Sequence, residues 1–185
     1  TLATYAKSGG ILPEHPVYKS APGIEATSGS LGHGLPLGLG IAVSARIHKI
    51  DYRVYVVMSD GECNEGTVWE AAMLAPAQDL DNLAVIVDAN QWQATGRSKD
   101  ITGMSSLKEK FKAFGWSSCD IDGHDVNALS EVLQKVPDGS GKPVAVIAHT
   151  IKGKGVSFME DDNNWHYRIP NKEEVEKALK EMGLT

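Results

Sequence analysis

Two short segments of the chain carry residue types able to hold a metal-bound phosphate. Ser59-Asp60-Gly61 follows the apolar run Val54 to Met58, and Asp88-Ala89-Asn90-Gln91-Trp92 follows the apolar run Leu83 to Val87. In an open parallel sheet, ligands bind beyond the carboxyl ends of the strands. A carboxylate from Asp60 and an amide oxygen from Asn90 on neighbouring strand ends are hard ligands, and the bare N–H of Gly61 can approach a phosphate. Together they suit Mg²⁺ bound to a diphosphate. Asp-Gly and Asn are also ordinary turn formers, so these residues alone leave a turn and a metal site both open.

Six histidines, His15, His33, His48, His124, His149 and His166, are the groups suited to proton transfer near neutral pH. Position alone does not separate them from histidines satisfied by backbone. Cys63 and Cys119 stand far apart with no CxxC spacing, which excludes a zinc ribbon and a disulfide framework and points to a reducing cytoplasm. Cys63 lacks a base partner and reads as non-catalytic. Gly32-His33-Gly34 followed by Gly38 does not have GxGxxG spacing and follows no clear strand, which argues against a dinucleotide loop. Lys152 and Lys154 read as a solvated strand-end turn. Trp69, Trp92 and Trp116 read as packing residues, and Trp165 beside His166 is placed to shape a pocket.

The elements that must position these residues follow from periodicity. Residues 1–30 read as loop, interrupted by Pro13, Pro16 and Pro22. Apolar and small residues from Leu35 to Lys49 recur at helical spacing, with Gly38 and Gly40 implying a helix pressed against a neighbour. The runs Val54–Met58, Leu83–Val87 and Val144–Ala148 have the length and continuity of strands buried on both faces, and Trp116–Ile121 reads as a shorter strand. Between and after them lie helices over Thr67–Ala77, Ser106–Phe114, Asp125–Val136 and Lys172–Met182, with Asp125 and Asn171 as N-caps. Strands alternating with helices predict an α/β fold, a doubly wound parallel sheet with helices on both faces.

The chain has 185 residues, 42% of them hydrophobic, and a formal charge of −6 with scattered basic residues. The length fits one domain over residues 1–185 with a sizeable core. The charge argues against a nucleic acid as partner, and no apolar run is long enough for a membrane span.

Several ordered segments resemble the transketolases, enzymes that use thiamine diphosphate. Ser59-Asp60-Gly61, then 28 residues, then Asn90 resembles the Gly-Asp-Gly…Asn signature of the thiamine diphosphate enzymes. Glu14-His15-Pro16 is similar to the family's Gly-His-Pro, and residues 27–34, Thr-Ser-Gly-Ser-Leu-Gly-His-Gly, to its Thr-Thr-Gly-Pro-Leu-Gly-Gln-Gly. Ile121-Asp122-Gly123-His124-Asp125 has the family's own sequence, and Ile151-Lys152-Gly153-Lys154-Gly155 and Trp165-His166 complete the series, which spans nearly the whole chain. Two departures stand out: Ser59 replaces the first Gly of the signature, and Tyr167 stands where the family commonly has Gly.

The resemblance implies a thiamin diphosphate-binding fold of the diphosphate-binding type. It implies Mg²⁺, or Ca²⁺ or Mn²⁺ in its place, held by Asp60, Asn90 and the Trp92 carbonyl, and thiamine diphosphate bound by Gly29, Ser30, Leu31, Asp60, Gly61, Asn90, Ile151 and His166. His15 and His166 correspond to active-site histidines, and Glu65 to a glutamate at the subunit interface. His33 stands where the family commonly has Gln and is suited equally to a ligand contact and to packing, while His124 is expected to order its turn. The glutamate that activates the cofactor belongs to a second domain, so the resemblance implies a split transketolase in the cytoplasm. Its partner would be a separate C-terminal subunit with the pyrimidine-binding and C-terminal domains, assembled as α2β2. The implied reaction is transfer of a two-carbon ketol unit from a ketose to an aldose, with sugar phosphates as substrates. Two other readings stay open: another thiamine diphosphate enzyme, such as the α subunit of a 2-oxo acid dehydrogenase or a deoxyxylulose phosphate synthase-like protein, and a non-catalytic module of the same fold. The resemblance also implies a family segment ahead of Thr1.

Overall fold

The computed structural model describes residues 2–184. Four parallel strands form the central sheet: β1 (Val54–Ser59), β2 (Leu83–Ala89), β5 (Ser117–Asp122) and β6 (Val144–His149). Their spatial order is β1-β2-β6-β5, with Val54 opposite Leu83, Ala84 opposite Val144 and Ser117 opposite Val144. A two-residue hairpin, β3 (Trp92–Gln93) and β4 (Gly96–Arg97), follows β2. The helices are α1 (Gly34–His48), α2 (Gly66–Ala77), α3 (Ser98–Thr102), α4 (Leu107–Ala113), α5 (Val126–Gln134) and α6 (Lys172–Glu181).

The continuous apolar character of β2 is used on both faces. Leu83, Val85, Val87 and Ala89 join one core with Leu35 and Ala42 of α1, Val68 and Ala72 of α2 and Phe111 of α4. Ala84 and Ile86 join a second, with Val144, Val146 and Ala148 of β6 and Leu129, Val132 and Leu133 of α5. The doubly wound α/β architecture expected from the alternating elements is therefore present. β1 departs from the expectation of burial on both faces. It is an edge strand, burying Val54, Val56 and Met58 while Tyr55 and Val57 are 43% and 74% exposed.

Local chemistry sets several element ends. Asp125 accepts from Asn127 N–H and Ala128 N–H and so caps α5, and Asn171 caps α6 in a reciprocal box with Glu174. α2 runs one residue past Pro76, its ring lying in the last turn. The pressed contact expected of α1 falls on Gly38 and not on Gly40. A Cβ on Gly38 would lie 2.3 Å from Val56 Cγ2, whereas one on Gly40 would meet nothing within 4 Å. Because valine cannot swing a methyl away at little cost, Gly38→Ala is expected to overpack α1 against β1. The net loss, after the helix-propensity gain of alanine, is about 1–2 kcal/mol, read as a Tm lower by roughly 2–8 °C in thermal denaturation.

Candidate active site at the strand ends

Asp60 lies one residue beyond β1, and its N–H continues the ladder to Asp88 O at 3.1 Å. The residue is 5% exposed. Oδ2 accepts from Ser98 Oγ at 2.8 Å, Oδ1 accepts from Gly61 N–H at 3.0 Å, and the Gln91 N–H also donates to it. Burial pushes the Asp60 carboxyl above the ordinary carboxylate range, with the nearby Asp88 acting in the same sense and the Ser98, Gly61 and Gln91 donors against it. No ion pair reaches Asp60 among the described residues.

The neighbouring strand end is organised around Asp88 and Asn90. Asn90 Oδ1 accepts from Trp92 N–H at 2.9 Å and Nδ2 donates to Asp88 Oδ2 at 3.3 Å, closing a turn in which Gln91 adopts a φ of +66°. The other Asp88 oxygen accepts from Thr150 Oγ1. That contact draws the end of β6 to the end of β2. Asn90 and Ile151 line one open cavity of about 580 Å³ with Arg97 and Asp161. A buried carboxylate without a basic partner and an amide oxygen on the adjoining strand end are oxygen donors of the kind a hard divalent cation takes.

The loop that resembles the cofactor segment is fixed from two sides. Ser28 N–H donates to Pro16 O at 3.1 Å and Tyr18 N–H to Thr27 Oγ1 at 3.0 Å, which brings the loop beside His15. Gly29 adopts a φ of +120°, and a Cβ there would lie 2.6 Å from His15 Cγ. Only a residue without a side chain gives both that backbone and that closeness. On the other side Gly32 N–H donates to Glu62 Oε1 at 3.0 Å and Gly32 O accepts from Thr67 Oγ1 at 2.7 Å, beside the exposed Glu65 at the N-cap position of α2. Ser30 and Leu31 are exposed between these anchors. His33 Nδ1 lies 3.1 Å from Leu31 O, on its own turn.

The remaining motifs divide into structural and open positions. His124 orders its turn as expected: its N–H donates to Asp122 Oδ1 at 2.9 Å and its Nε2 accepts from Ile151 N–H at 2.8 Å. It thereby holds the segment that begins at Ile151. His149 Nε2 lies 2.8 Å from Asp120 Oδ1, and Lys108 pairs with the same carboxylate at 3.1 Å. These two partners hold the Asp120 carboxyl below its ordinary range although burial raises it. His166 is exposed, with its ring 4.7 Å from the Tyr167 ring. No contact ties His166 to Asp60, Asn90 or His15. Cys63 is fully buried, its thiol pushed up to about 12 by burial first and then by Asp60 and Glu62, in keeping with a non-catalytic residue. Trp69 and Trp116 pack with Phe111, at 5.4 and 5.3 Å between rings, as expected. Trp92 is instead half-buried, stacked under the Arg97 guanidinium at 3.7 Å and donating from Nε1 to Asp161 at 2.8 Å.

Sequence reasoning passed over the residues that brace this site. Ser98 is buried at the first turn of α3 against Asp60. Arg97 pairs with Asp161, and Asn163 Nδ2 donates to Ala94 O at 3.1 Å, so the segment from Ile151 to His166 is tied down on the hairpin. All three contacts join residues far apart in sequence, and no local spacing announces them.

A parallel sheet with a buried carboxylate and an amide oxygen at adjoining strand ends is the framework of a ligand-binding α/β domain. The chain belongs to the transketolase family: residues 1–185 match its thiamine diphosphate binding domain. Over 181 residues it is 42% identical to an apulose-4-phosphate transketolase subunit from Actinobacillus succinogenes, spanning 98% of this chain and 65% of that protein. The corresponding protein of Phocaeicola vulgatus is 39% identical over 180 residues, 97% of this chain and 64% of that protein. The chain thus spans just under two thirds of the length of these relatives. The crystal structure of the Campylobacter jejuni transketolase superposes with a TM-score of 0.91 at 29% identity, covering 98% of this chain and 29% of that one.

Proposed function

We propose that this chain is the diphosphate-binding part of a two-subunit transketolase that moves a two-carbon ketol unit from a ketose to an aldose, both as sugar phosphates. Support comes from the two relatives named as transketolase subunits and from the donor set at the strand ends. The observation that carries the reading is Asp60, a residue 5% exposed whose carboxylate has no basic partner among the described residues, on the strand end adjoining Asn90.

In this reading Asp60, the Asn90 amide oxygen and the Trp92 carbonyl hold Mg²⁺, for which Ca²⁺ or Mn²⁺ would use the same oxygens. The Gly61 N–H, which donates to Asp60 Oδ1 in the structure, would lie beside the diphosphate. Gly29, Ser30 and Leu31 would contact the cofactor from the loop before α1, and Ile151 and His166 from the segment after β6. Thiamine diphosphate, when bound, supplies the carbon nucleophile and electron sink that make the C2–C3 bond of a ketose cleavable. His15 and His166 would hydrogen-bond the sugar hydroxyls and serve as proton donors and acceptors to them. Glu65 faces the partner subunit, which supplies the pyrimidine-binding and C-terminal domains in an α2β2 assembly. We place the enzyme in the cytoplasm, consistent with two free cysteines; among the described residues no helix is long and apolar enough to cross a membrane.

The test is co-expression with the candidate partner subunit, followed by native mass spectrometry and a transfer assay. The expected result is an assembly that retains Mg²⁺–thiamine diphosphate and lengthens an aldose phosphate by two carbons at the expense of a ketose phosphate. An assembly that holds the cofactor and transfers no ketol unit would overturn the reaction, and one that binds no cofactor would overturn the site.

A further inference from the structure

Asp88 lies near the end of β2, opposite Ser59 of β1 and Ala148 of β6, half-buried and without an ion pair among the described residues. Its two carboxylate oxygens are divided between the segments that follow β2 and β6. Oδ2 accepts from Asn90 Nδ2 at 3.3 Å, and Oδ1 accepts from Thr150 Oγ1, one residue ahead of Ile151. The Asn90 amide is thereby held at both ends, since its Oδ1 accepts from Trp92 N–H at 2.9 Å.

An amide side chain has one end that can ligate a cation and one that cannot, and the two ends are nearly alike in shape. Packing alone does not choose between them. Turned over, Asn90 would set its NH2 against the Trp92 N–H and its oxygen against the Asp88 carboxylate, donor facing donor and acceptor facing acceptor. In the orientation observed, the Trp92 N–H uses one lone pair of Oδ1 and leaves the second for a ligand. We propose that Asp88 is a positioning residue for the Asn90 amide: its carboxylate holds Nδ2 and so keeps the oxygen available to Mg²⁺, while its hold on Thr150 sets the start of the segment from Ile151 in the same frame. This rests on the cofactor reading of the strand-end site. Because Asp88 acts through Asn90, its effect falls on retention of the metal-bound cofactor.

Two other roles would leave different traces. A carboxylate that only ties the strand ends together would be felt in the cofactor-free protein. One that acted only by its charge on the cation would be felt whatever residue stands at position 90.

The variants exploit that difference. Asp88→Asn keeps the shape, but its amide can accept from Nδ2 or donate to an oxygen, so it no longer selects one orientation of Asn90. Asn90→Asp presents two equivalent oxygens that need no orienting, and sets them against the Asp88 carboxylate. The experiment measures the dissociation constant for Mg²⁺–thiamine diphosphate by calorimetry on the complex with the partner subunit, together with the cofactor-free Tm. It does so for both variants, for the double variant and for Asp60→Asn as the control on the cofactor reading. Asp88→Asn is expected to raise the dissociation constant about tenfold, with the cofactor-free Tm no lower than the parent's. Made in the Asn90→Asp background, the same substitution is expected to lower the constant, because an amide that donates to the new carboxylate replaces one that repels it.

The proposal is overturned if Asp88→Asn keeps the parent's dissociation constant while Asp60→Asn loses binding, if it raises the constant by the same factor in both backgrounds, or if it lowers only the cofactor-free Tm. Should Asp88→Asn not fold, or Asn90→Asp leave no measurable binding, Thr150→Val and Thr150→Ser decide. Loss of the hydroxyl that holds Asp88 is expected to raise the constant severalfold and serine to restore the parent's value, and equal constants for the two would overturn the proposal. If Asp60→Asn also binds as the parent does, the cofactor reading of the site falls together with the proposal.

Discussion

Asp60→Asn is expected to weaken binding of Mg²⁺–thiamine diphosphate by the assembled enzyme at least about a hundredfold, since even the residues behind a metal ligand are worth tenfold to a hundredfold. The same substitution is expected to stabilise the cofactor-free protein. Asp60 is buried, its carboxyl is pushed up by that burial, and the Ser98 and Gly61 donors only partly offset it. A carboxyl whose pKa is raised on folding binds its proton more tightly in the native state, so its ionisation weakens the fold as pH climbs past the ordinary carboxylate range. Above that range the burden is present, and an uncharged amide of the same shape removes it, its Oδ1 accepting from Gly61 N–H while its Nδ2 donates to Ser98 Oγ. A gain of about 1 kcal/mol corresponds to a Tm higher by roughly 2–4 °C in a domain of this size. Calorimetric titration and thermal denaturation of the same sample check the pair of outcomes. Loss of both affinity and stability would mean that Asp60 is a turn residue whose carboxylate the fold needs, and the metal assignment would fail.

This opposition between stability and binding separates what was legible in the chain from what was not. The strands β2 and β6 read correctly as continuous apolar runs because both of their faces are covered. The run Val54–Met58 looks the same in sequence, yet Tyr55 and Val57 face outward, because the order of strands in a sheet is a long-range property. The caps Asp125 and Asn171 were legible because a cap and the N–H groups it serves lie within three residues of each other. The hairpin at residues 92–97 and α3 were not, being too short for any periodicity and held by contacts to Asp60, Asp161 and Asn163. In the site itself, strand-end position singled out Asp60 and Asn90 from elementary chemistry. His15 and Gly29 were each singled out by resemblance, and the close contact between them had no signal in the sequence.

His15→Ala is expected to lower kcat/KM of the assembled enzyme about a hundredfold or more, the usual range for a positioned acid–base group, with the affinity for Mg²⁺–thiamine diphosphate largely retained. The imidazole lies against the loop residue Gly29, whose added Cβ would stand 2.6 Å from His15 Cγ and 2.9 Å from Cβ and Cδ2. That loop is in turn held by Ser28 N–H on Pro16 O and by Thr27 Oγ1 on Tyr18 N–H, so ring and loop form one unit. Gly29→Ala should therefore reproduce the catalytic loss by pushing the ring out of place. It should also cost about 1–3 kcal/mol of stability, from the clash and from forcing a side chain onto a φ of +120°. The double variant separates the two causes. Removing the ring removes the clash, so Gly29→Ala made in the His15→Ala background should cost less stability than it does alone and reduce kcat/KM little further, a coupling that independent sites do not show. Additive losses in both quantities would instead mean that Gly29 and His15 act separately, and that the contact between them does not position the imidazole.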